Sequence, residues 1–109
     1  MIEVRHYLTA SGKDVFESWL AGLKDDRAEA RIGARINRLV GGNFGDCKPV
    51  GGGAWELRID VGPGYRVYYA MVGQTCVLLL CGGDKRKQSS DIAKAIEYLH
   101  DYKQRSKRP

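Results

Sequence analysis

The chain has 109 residues and a net charge of +5, and 43% of its residues are apolar. This length suits a single domain, residues 1–109, whose core needs no disulfide or bound metal for stability. The apolar content is typical of a folded chain and does not indicate disorder. The three cysteines and two histidines fit no zinc-binding spacing, and the sequence shows neither a signal peptide nor the roughly 20 apolar residues of a membrane span. We therefore expect a cytoplasmic protein that has no metal or cofactor and, being basic, favours anionic partners.

The N-terminal part of the sequence predicts a strand followed by two helices. Residues 2–8 alternate between apolar and polar, which is typical of a strand with one buried face. Ser11 and Asp14 resemble a helix start, and apolar side chains follow at helical spacing. Asp25 or Asp26 can cap the second helix, which ends at the next pair of adjacent glycines. The short turn between the helices predicts an antiparallel helical hairpin.

Three strands follow in the second half of the sequence. Residues 55–61 alternate strictly, residues 65–72 are rich in aromatic and β-branched side chains, and residues 76–81 are apolar throughout. A fully apolar strand is expected at the centre of a sheet with both faces covered. Short connections predict that the three strands form an antiparallel meander.

Loops and a last helix complete the predicted order. A glycine-rich loop ending at Gly53 precedes the three strands, and a turn at 82–84 follows them. Ser89 or Ser90 is expected to cap the last helix, and the basic tail 103–109 is expected to fray. The order β-α-α-β-β-β-α predicts an α+β domain, with an antiparallel sheet that carries the helical hairpin on one face and the last helix beside it.

The hairpin between the first two of these strands carries the clearest candidate site. A three-residue Gly-Pro-Gly loop would place Asp60 opposite Arg66 and Arg58 opposite Tyr68. Hydrophobic alternation then puts these four residues on one polar face together with Glu56. The face is either a functional surface or a solvated one on which Asp60 and Arg66 simply pair.

Two further basic groups have two interpretations each. Residues 85–87 are three cations before a helix N-terminus, which form either an anion site or an exposed turn. A stripe along the second helix is either a solvated face or a footprint for a phosphate backbone or an acidic partner. The stripe consists of Arg27, Arg31, Arg35 and Arg38.

Four segments carry a family resemblance: Trp55–Ile59, Gly64–Tyr69, Val77–Lys85 and Asp91–Ile96. They resemble the RelE/HigB toxin superfamily, in particular its phage-related branch of addiction module killer proteins. The resemblance extends over nearly the whole chain and includes the order of its elements. It implies a RelE/ParE-like fold and a toxin of a type II toxin–antitoxin system.

The resemblance implies a ribosome-dependent, metal-independent mRNA endonuclease that inhibits translation by cutting the codon in the ribosomal A site. The implied partners are a helix-turn-helix antitoxin, the ribosome and mRNA. One alternative is a non-enzymatic toxin of the ParE type, which binds and poisons DNA gyrase; another is an inactive relative that only binds its antitoxin. A shared fold cannot distinguish them.

The resemblance also suggests site residues. Arg66 and Arg86 match basic positions that the family uses around the scissile phosphate. Independently of the resemblance, Glu56 is a candidate base and Lys85 or Lys87 a candidate for stabilising charge, so Lys85 and Glu56 complete the expected catalytic set. The expected RNA-binding side chains are Arg58, Lys87, Lys48 and Tyr68. The best-known branch carries lysines at the positions of Ala54 and Glu56, and a catalytic tyrosine at that of Ile92, so the general acid and base do not transfer.

Overall fold

The computed structural model describes residues 1–107, and within them it has five strands and three α-helices. In chain order these are β1 (Glu3–His6), α1 (Val15–Ala21), α2 (Asp26–Val40), β2 (Cys47–Gly51), β3 (Ala54–Ile59), β4 (Tyr65–Val72), β5 (Cys76–Asp84) and α3 (Gln88–Ser106). A 3₁₀ turn at Lys85–Lys87 connects β5 to α3. The α+β class agrees with the prediction.

The sheet is mixed, with the strand order β1-β5-β4-β3-β2. β1 runs parallel to β5, and every other neighbouring pair is antiparallel. The predicted purely antiparallel sheet is therefore wrong at β1. Alternation along residues 2–8 indicates a half-buried strand, but it carries no information on the direction of its neighbour.

Aspartates begin the first two helices. The Asp14 carboxylate accepts the Glu17 N–H at 3.0 Å, and the Asp25 carboxylate accepts the Ala28 N–H at 3.0 Å. Both satisfy amide groups that the first helical turn leaves without a partner. The predicted cap at Asp25 is confirmed, whereas α1 starts later than the predicted start around Ser11.

The last helix begins differently from the prediction. Lys87 precedes it without a side-chain cap, so neither Ser89 nor Ser90 is the capping residue. Asp84 instead accepts the Arg86 N–H at 2.9 Å within the 3₁₀ turn. β5 extends through Asp84, so the predicted turn at 82–84 is part of the strand.

The chain differs from the prediction in two other places. The glycine-rich loop contains β2, an edge strand that the sequence did not reveal because Pro49 and neighbouring glycines are poor strand formers. The predicted frayed tail is helical through Ser106. Arg108 and Pro109 lie outside the described residues.

Helices cover both faces of the sheet. Phe16 of α1 and Ile32 of α2 pack in one buried cluster with Leu57 and Leu79. A second cluster packs Leu99 of α3 against side chains on the other face of the sheet, including Tyr68, Ala70, Leu78 and Leu80. The two-sided burial of residues 76–81 is confirmed. α3 thus lies on the face opposite α1 and α2, so the prediction that the last helix packs beside the helical hairpin is wrong, while the hairpin itself stays a prediction.

The β3–β4 pairing places the polar side chains of the candidate site. Arg58 lies opposite Arg66, and Glu56 lies opposite Tyr68. The predicted register, with Asp60 opposite Arg66, is wrong by two residues because the connection comprises residues 60–64 rather than three residues. A shift of two keeps every side chain on its face, so the predicted sharing of one face by Glu56, Arg58, Arg66 and Tyr68 holds.

Candidate functional site

A cleft of about 350 Å³ lies at the end of the β3–β4 hairpin. Three cations line it, Arg58, Arg66 and Lys85, together with the carboxylates of Asp46 and Asp60. The remaining lining comes from the residues of the turn, Gly62, Pro63 and Gly64. The cleft is therefore polar and suits a small anionic group better than an apolar ligand.

Glu56 lies behind these cations and is fully buried. One carboxylate oxygen, Oε1, accepts the Arg58 Nε–H at 3.2 Å and lies 3.6 Å from Arg66 Nε. The other, Oε2, accepts the Tyr68 hydroxyl at 3.2 Å and the Gln88 side-chain amide at 2.7 Å. A buried carboxylate requires such partners, because isolating its charge from water is costly.

The Glu56 carboxylate also explains how two arginines can face each other across the strands. Like charges directly opposite in a sheet repel. The single negative charge of Glu56, shared by Arg58 and Arg66, offsets that repulsion. The contacts orient both guanidinium groups before any ligand arrives.

Arg66 is the more enclosed of the two arginines, with 13% of its side chain exposed. Its Nη1 donates to the Tyr65 carbonyl at 3.2 Å, while its buried Nε has no hydrogen-bond partner among the described residues. Gly64 has a φ of +83°, and a Cβ there would lie 3.4 Å from Arg66 Nη1. The Gly64 carbonyl also accepts the Lys85 N–H at 3.0 Å, so this turn helps to place both cations.

Tyr68 is completely buried, and its hydroxyl donates to Glu56. Burial, and then the nearby negative charge of Glu56, raise the pKa of Tyr68 well above its ordinary value. The phenol therefore stays protonated at neutral pH and supports Glu56. It is not on the surface of the cleft.

Five of the eight sequence-predicted residues are not part of the cleft lining; two of these five lie directly behind it, and the other three lie apart from it. The Arg86 side chain is 81% exposed and pairs with Asp84 at 2.9 Å, which holds the pKa of Asp84 below its usual value. Lys87 is exposed before α3, and Lys48 is exposed on edge strand β2. The structure thus brings together Arg58, Arg66 and Lys85, with two further predicted residues behind them.

Sequence reasoning missed several residues near the cleft, and Asp91 is the most enclosed of them. It is 8% exposed, and its Oδ2 has no hydrogen-bond partner among the described residues. Burial raises the pKa of Asp91. A Cβ on Gly83 would lie 1.9 Å from this oxygen, and Gly83 is the cross-strand partner of Arg66. The adjacent glycines at the end of an apolar strand were the signal for this close approach.

Gln88, Asp46 and Arg35 were also missed as parts of the site. Gln88 begins α3 and donates to Glu56, so it joins the helix to the arginine pair. Nothing in the sequence pattern reveals that contact, because it depends on which face of the sheet α3 covers. Arg35 was noted only as one member of the basic stripe.

Other kinds of site find no support in the described part of the chain. Within residues 1–107, no three or more His, Cys, Asp or Glu side chains are grouped so that they could hold a metal ion. No helix there is long and apolar enough to span a membrane. Cys47, Cys76 and Cys81 are free thiols.

Comparison with known proteins gives the family. Residues 18–102 match the model of the Gp49-like phage-derived proteins. An uncharacterized protein of Haemophilus influenzae strain Rd is 58% identical over 80 residues, which cover 73% of this chain and 81% of the relative. The family match includes β2 to β5, most of α3 and the whole cleft lining. The chain therefore belongs to the family of Gp49-like phage-derived proteins.

Proposed function

We propose that the protein is the toxin of a type II toxin–antitoxin system and that it cleaves mRNA on the ribosome. The observation that carries the proposal is the cleft in which Arg58, Arg66 and Lys85 converge, with a buried carboxylate orienting both arginines. Membership in a family of addiction-module, toxin-like proteins supports the toxin role. The resemblance to RelE/HigB toxins supports mRNA as the substrate and the ribosome as the place of cleavage.

The proposed reaction is attack of a ribose 2′-hydroxyl on the adjacent phosphorus. The O–P bond forms as the bond to the 5′-oxygen of the next nucleotide breaks, giving a 2′,3′-cyclic phosphate and a free 5′-hydroxyl. One proton leaves the attacking hydroxyl and one reaches the departing oxygen. Negative charge builds on the phosphorane, which preorganised cations stabilise. Arginine suits this task because it is always charged and binds phosphate oxygens in pairs.

Within this reaction Glu56 aims the guanidinium groups of Arg58 and Arg66. Its two oxygens are buried and already accept donors, so its geometry favours positioning over the proton transfer considered from the sequence. Asp46 and Asp60 are exposed and line the cleft, so their carboxylates are better placed to accept the proton of the 2′-hydroxyl. Lys85 adds a third positive charge.

The test uses purified ribosomes with a defined message in the A site. Arg66→Ala should lower the cleavage rate roughly a hundredfold or more, because one preorganised donor is lost. Arg5→Ala is the control: this arginine lies on edge strand β1, pairs with exposed Glu3, and its variant should cleave like wild type. Circular dichroism checks that each variant is folded.

Three outcomes would contradict the proposal or part of it. Equal cleavage by wild type and Arg66→Ala removes Arg66 from the mechanism. A message that stays intact while induction still arrests growth replaces the nuclease by a gyrase-binding toxin. An intact message without growth arrest leaves a protein that only binds its antitoxin.

The proposed partner is a helix-turn-helix antitoxin that keeps the toxin silent. The net charge of +5 supports an acidic docking segment, since complementary charge speeds and directs association. Co-expression with an adjacent gene for such a protein should give a complex that co-elutes at low salt. Separate elution of the two proteins would contradict this pairing.

A further inference from the structure

A second basic depression lies beside the cleft, between α2 and the end of β3. It has a volume of about 320 Å³ and is lined by Arg31, Ala34, Arg35, Arg38 and Ile59. The cleft lining mixes cations with two carboxylates, whereas this groove, which we call the α2 groove, has three guanidinium groups and no carboxylate in its lining. The groove is therefore the more uniformly positive of the two depressions.

Arg35 joins the α2 groove to the cleft. Its guanidinium donates to the carbonyls of Arg58, Phe44 and Asp46. All three acceptors are neutral carbonyls, so these bonds fix the side chain while leaving its charge uncompensated. Arg58 and Asp46 both line the cleft, so one rigid arginine connects the two depressions.

Arg31 and Arg38 flank this fixed arginine and are exposed. Neither side chain makes a hydrogen bond or ion pair with the residues that the structure describes. The spacing of i, i+4 and i+7 puts the three arginines on one side of α2, over roughly 10 Å of its length. The helix dipole accounts for a cation at Arg38 in the last turn, but it gives no reason for Arg31 in the middle of the helix.

We propose that the α2 groove is a phosphate-binding site that holds the sugar–phosphate backbone of RNA next to the cleft. This inference rests on the proposed function, because it assumes that the cleft acts on RNA. The backbone belongs either to the message, on one side of the scissile phosphate, or to ribosomal RNA around the A site. The chemistry is the same in both cases: phosphodiester oxygens that accept from guanidinium groups.

The first experiment measures the affinity of labelled RNA against salt concentration by fluorescence anisotropy. The test variant is Arg31→Gln with Arg38→Gln, and Arg35 is left intact because it holds the neighbouring loops. The matched control is Lys103→Gln with Lys107→Gln, which removes the same charge from exposed positions at the end of α3, on the opposite face of the sheet. Loss of two phosphate contacts on single-stranded RNA should reduce the slope of log affinity against log salt by about 1.4.

Two RNA probes distinguish the sources of the backbone. A message fragment much longer than a dinucleotide should bind the groove variant severalfold more weakly than the control, while a dinucleotide that fits only the cleft should bind both equally. If the long fragment also binds both equally, but empty small ribosomal subunits co-sediment less with the groove variant, the backbone is that of ribosomal RNA. Either pattern supports a phosphate site in the groove.

The remaining outcomes overturn the proposal. Equal losses in the groove and control variants would mean that only net charge matters. If the groove variant keeps wild-type affinity and salt slope for every RNA probe, the α2 groove is not a phosphate site. If that variant then fails to bind the co-expressed antitoxin, the groove is an interface for an acidic protein.

The cleavage assay separates this result from the proposed function. If the wild-type protein cleaves messages and the groove variant binds every RNA probe normally, only the proposed phosphate site in the α2 groove is wrong. If the wild-type protein cleaves no message, but the groove variant binds RNA more weakly than the control variant, the proposed nuclease activity is wrong and the phosphate site is supported. Circular dichroism and thermal unfolding verify that both double variants are folded.

Discussion

At the scale of single residues, Glu56 combines burial with a full set of donors, so its removal should affect both stability and chemistry. In Glu56→Gln the amide oxygen could serve the donors of only one carboxylate oxygen while the amide NH2 faced those of the other, and Arg58 and Arg66 would lose the negative charge between them. We expect a loss of about 3 kcal/mol in the free energy of unfolding, measured by urea denaturation. The control Glu3→Gln breaks an exposed ion pair on β1 and should leave the urea midpoint nearly unchanged. If Glu56→Gln and Glu3→Gln shifted the midpoint equally, the Glu56 contacts would contribute little to stability.

Asp91 gives a prediction about pH. Burial raises the pKa of its carboxyl in the folded protein above the ordinary 3.8, against the opposing effect of Lys94 and Lys87 and with a contribution from Asp84. The folded state therefore binds this proton more tightly than the unfolded chain does, so this group lowers stability as the pH rises above the ordinary value. Asp91→Asn removes that dependence. The difference in free energy of unfolding between this variant and the wild type should therefore grow in favour of the variant as the pH rises from acidic to neutral. If the stability profiles of the two proteins, measured by urea denaturation across this pH range, run parallel, the prediction is contradicted.

At the scale of elements, two glycines predict opposite effects of the same substitution. A Cβ on Gly82 of β5 would lie 2.2 Å from the Trp19 ring of α1, so Gly82→Ala should push the helix from the sheet and cost about 1–3 kcal/mol. A Cβ on Gly33 of α2 would meet nothing within 4 Å beyond the backbone of its own helix, so Gly33→Ala should stabilise the helix by up to about 1 kcal/mol. Thermal melts of the two variants should shift in opposite directions, and a shared direction would contradict the assigned packing.

The elements also show what the sequence can and cannot predict. Alternation put Leu57 and Arg58 on opposite faces correctly, but it could not detect a register shift of two, because every second residue faces the same way. An apolar stripe marks α3 as amphipathic without saying which face of the sheet it covers. The Gln88–Glu56 contact follows from that unpredicted packing, whereas the clustering of Arg58 and Arg66 follows from alternation alone.

At the scale of the whole molecule, one sheet serves two cores. Leu79 of β5 points into the cluster under α1 and α2, while Leu78 and Leu80 point into the cluster under α3. The cleft lies where these layers meet, since β3 and β4 supply the arginines and the turn before α3 supplies Lys85. Its geometry therefore depends on both layers being folded at once.

This shared sheet predicts a single cooperative unfolding transition, and the position of the tryptophans allows a direct test. Trp19 and Trp55, the two tryptophans of the chain, both pack against the cluster under α1 and α2. Leu99→Ala creates a cavity under α3, on the opposite face, and should cost about 2–5 kcal/mol. Because the faces share every central strand, tryptophan fluorescence and far-ultraviolet circular dichroism should report the same lowered midpoint in urea. Leu39→Ala, on the tryptophan side, is the matched control and should also shift both signals together. If Leu99→Ala lowered the dichroism midpoint and left the fluorescence midpoint in place, the two layers would unfold independently and the cleft would not depend on α3.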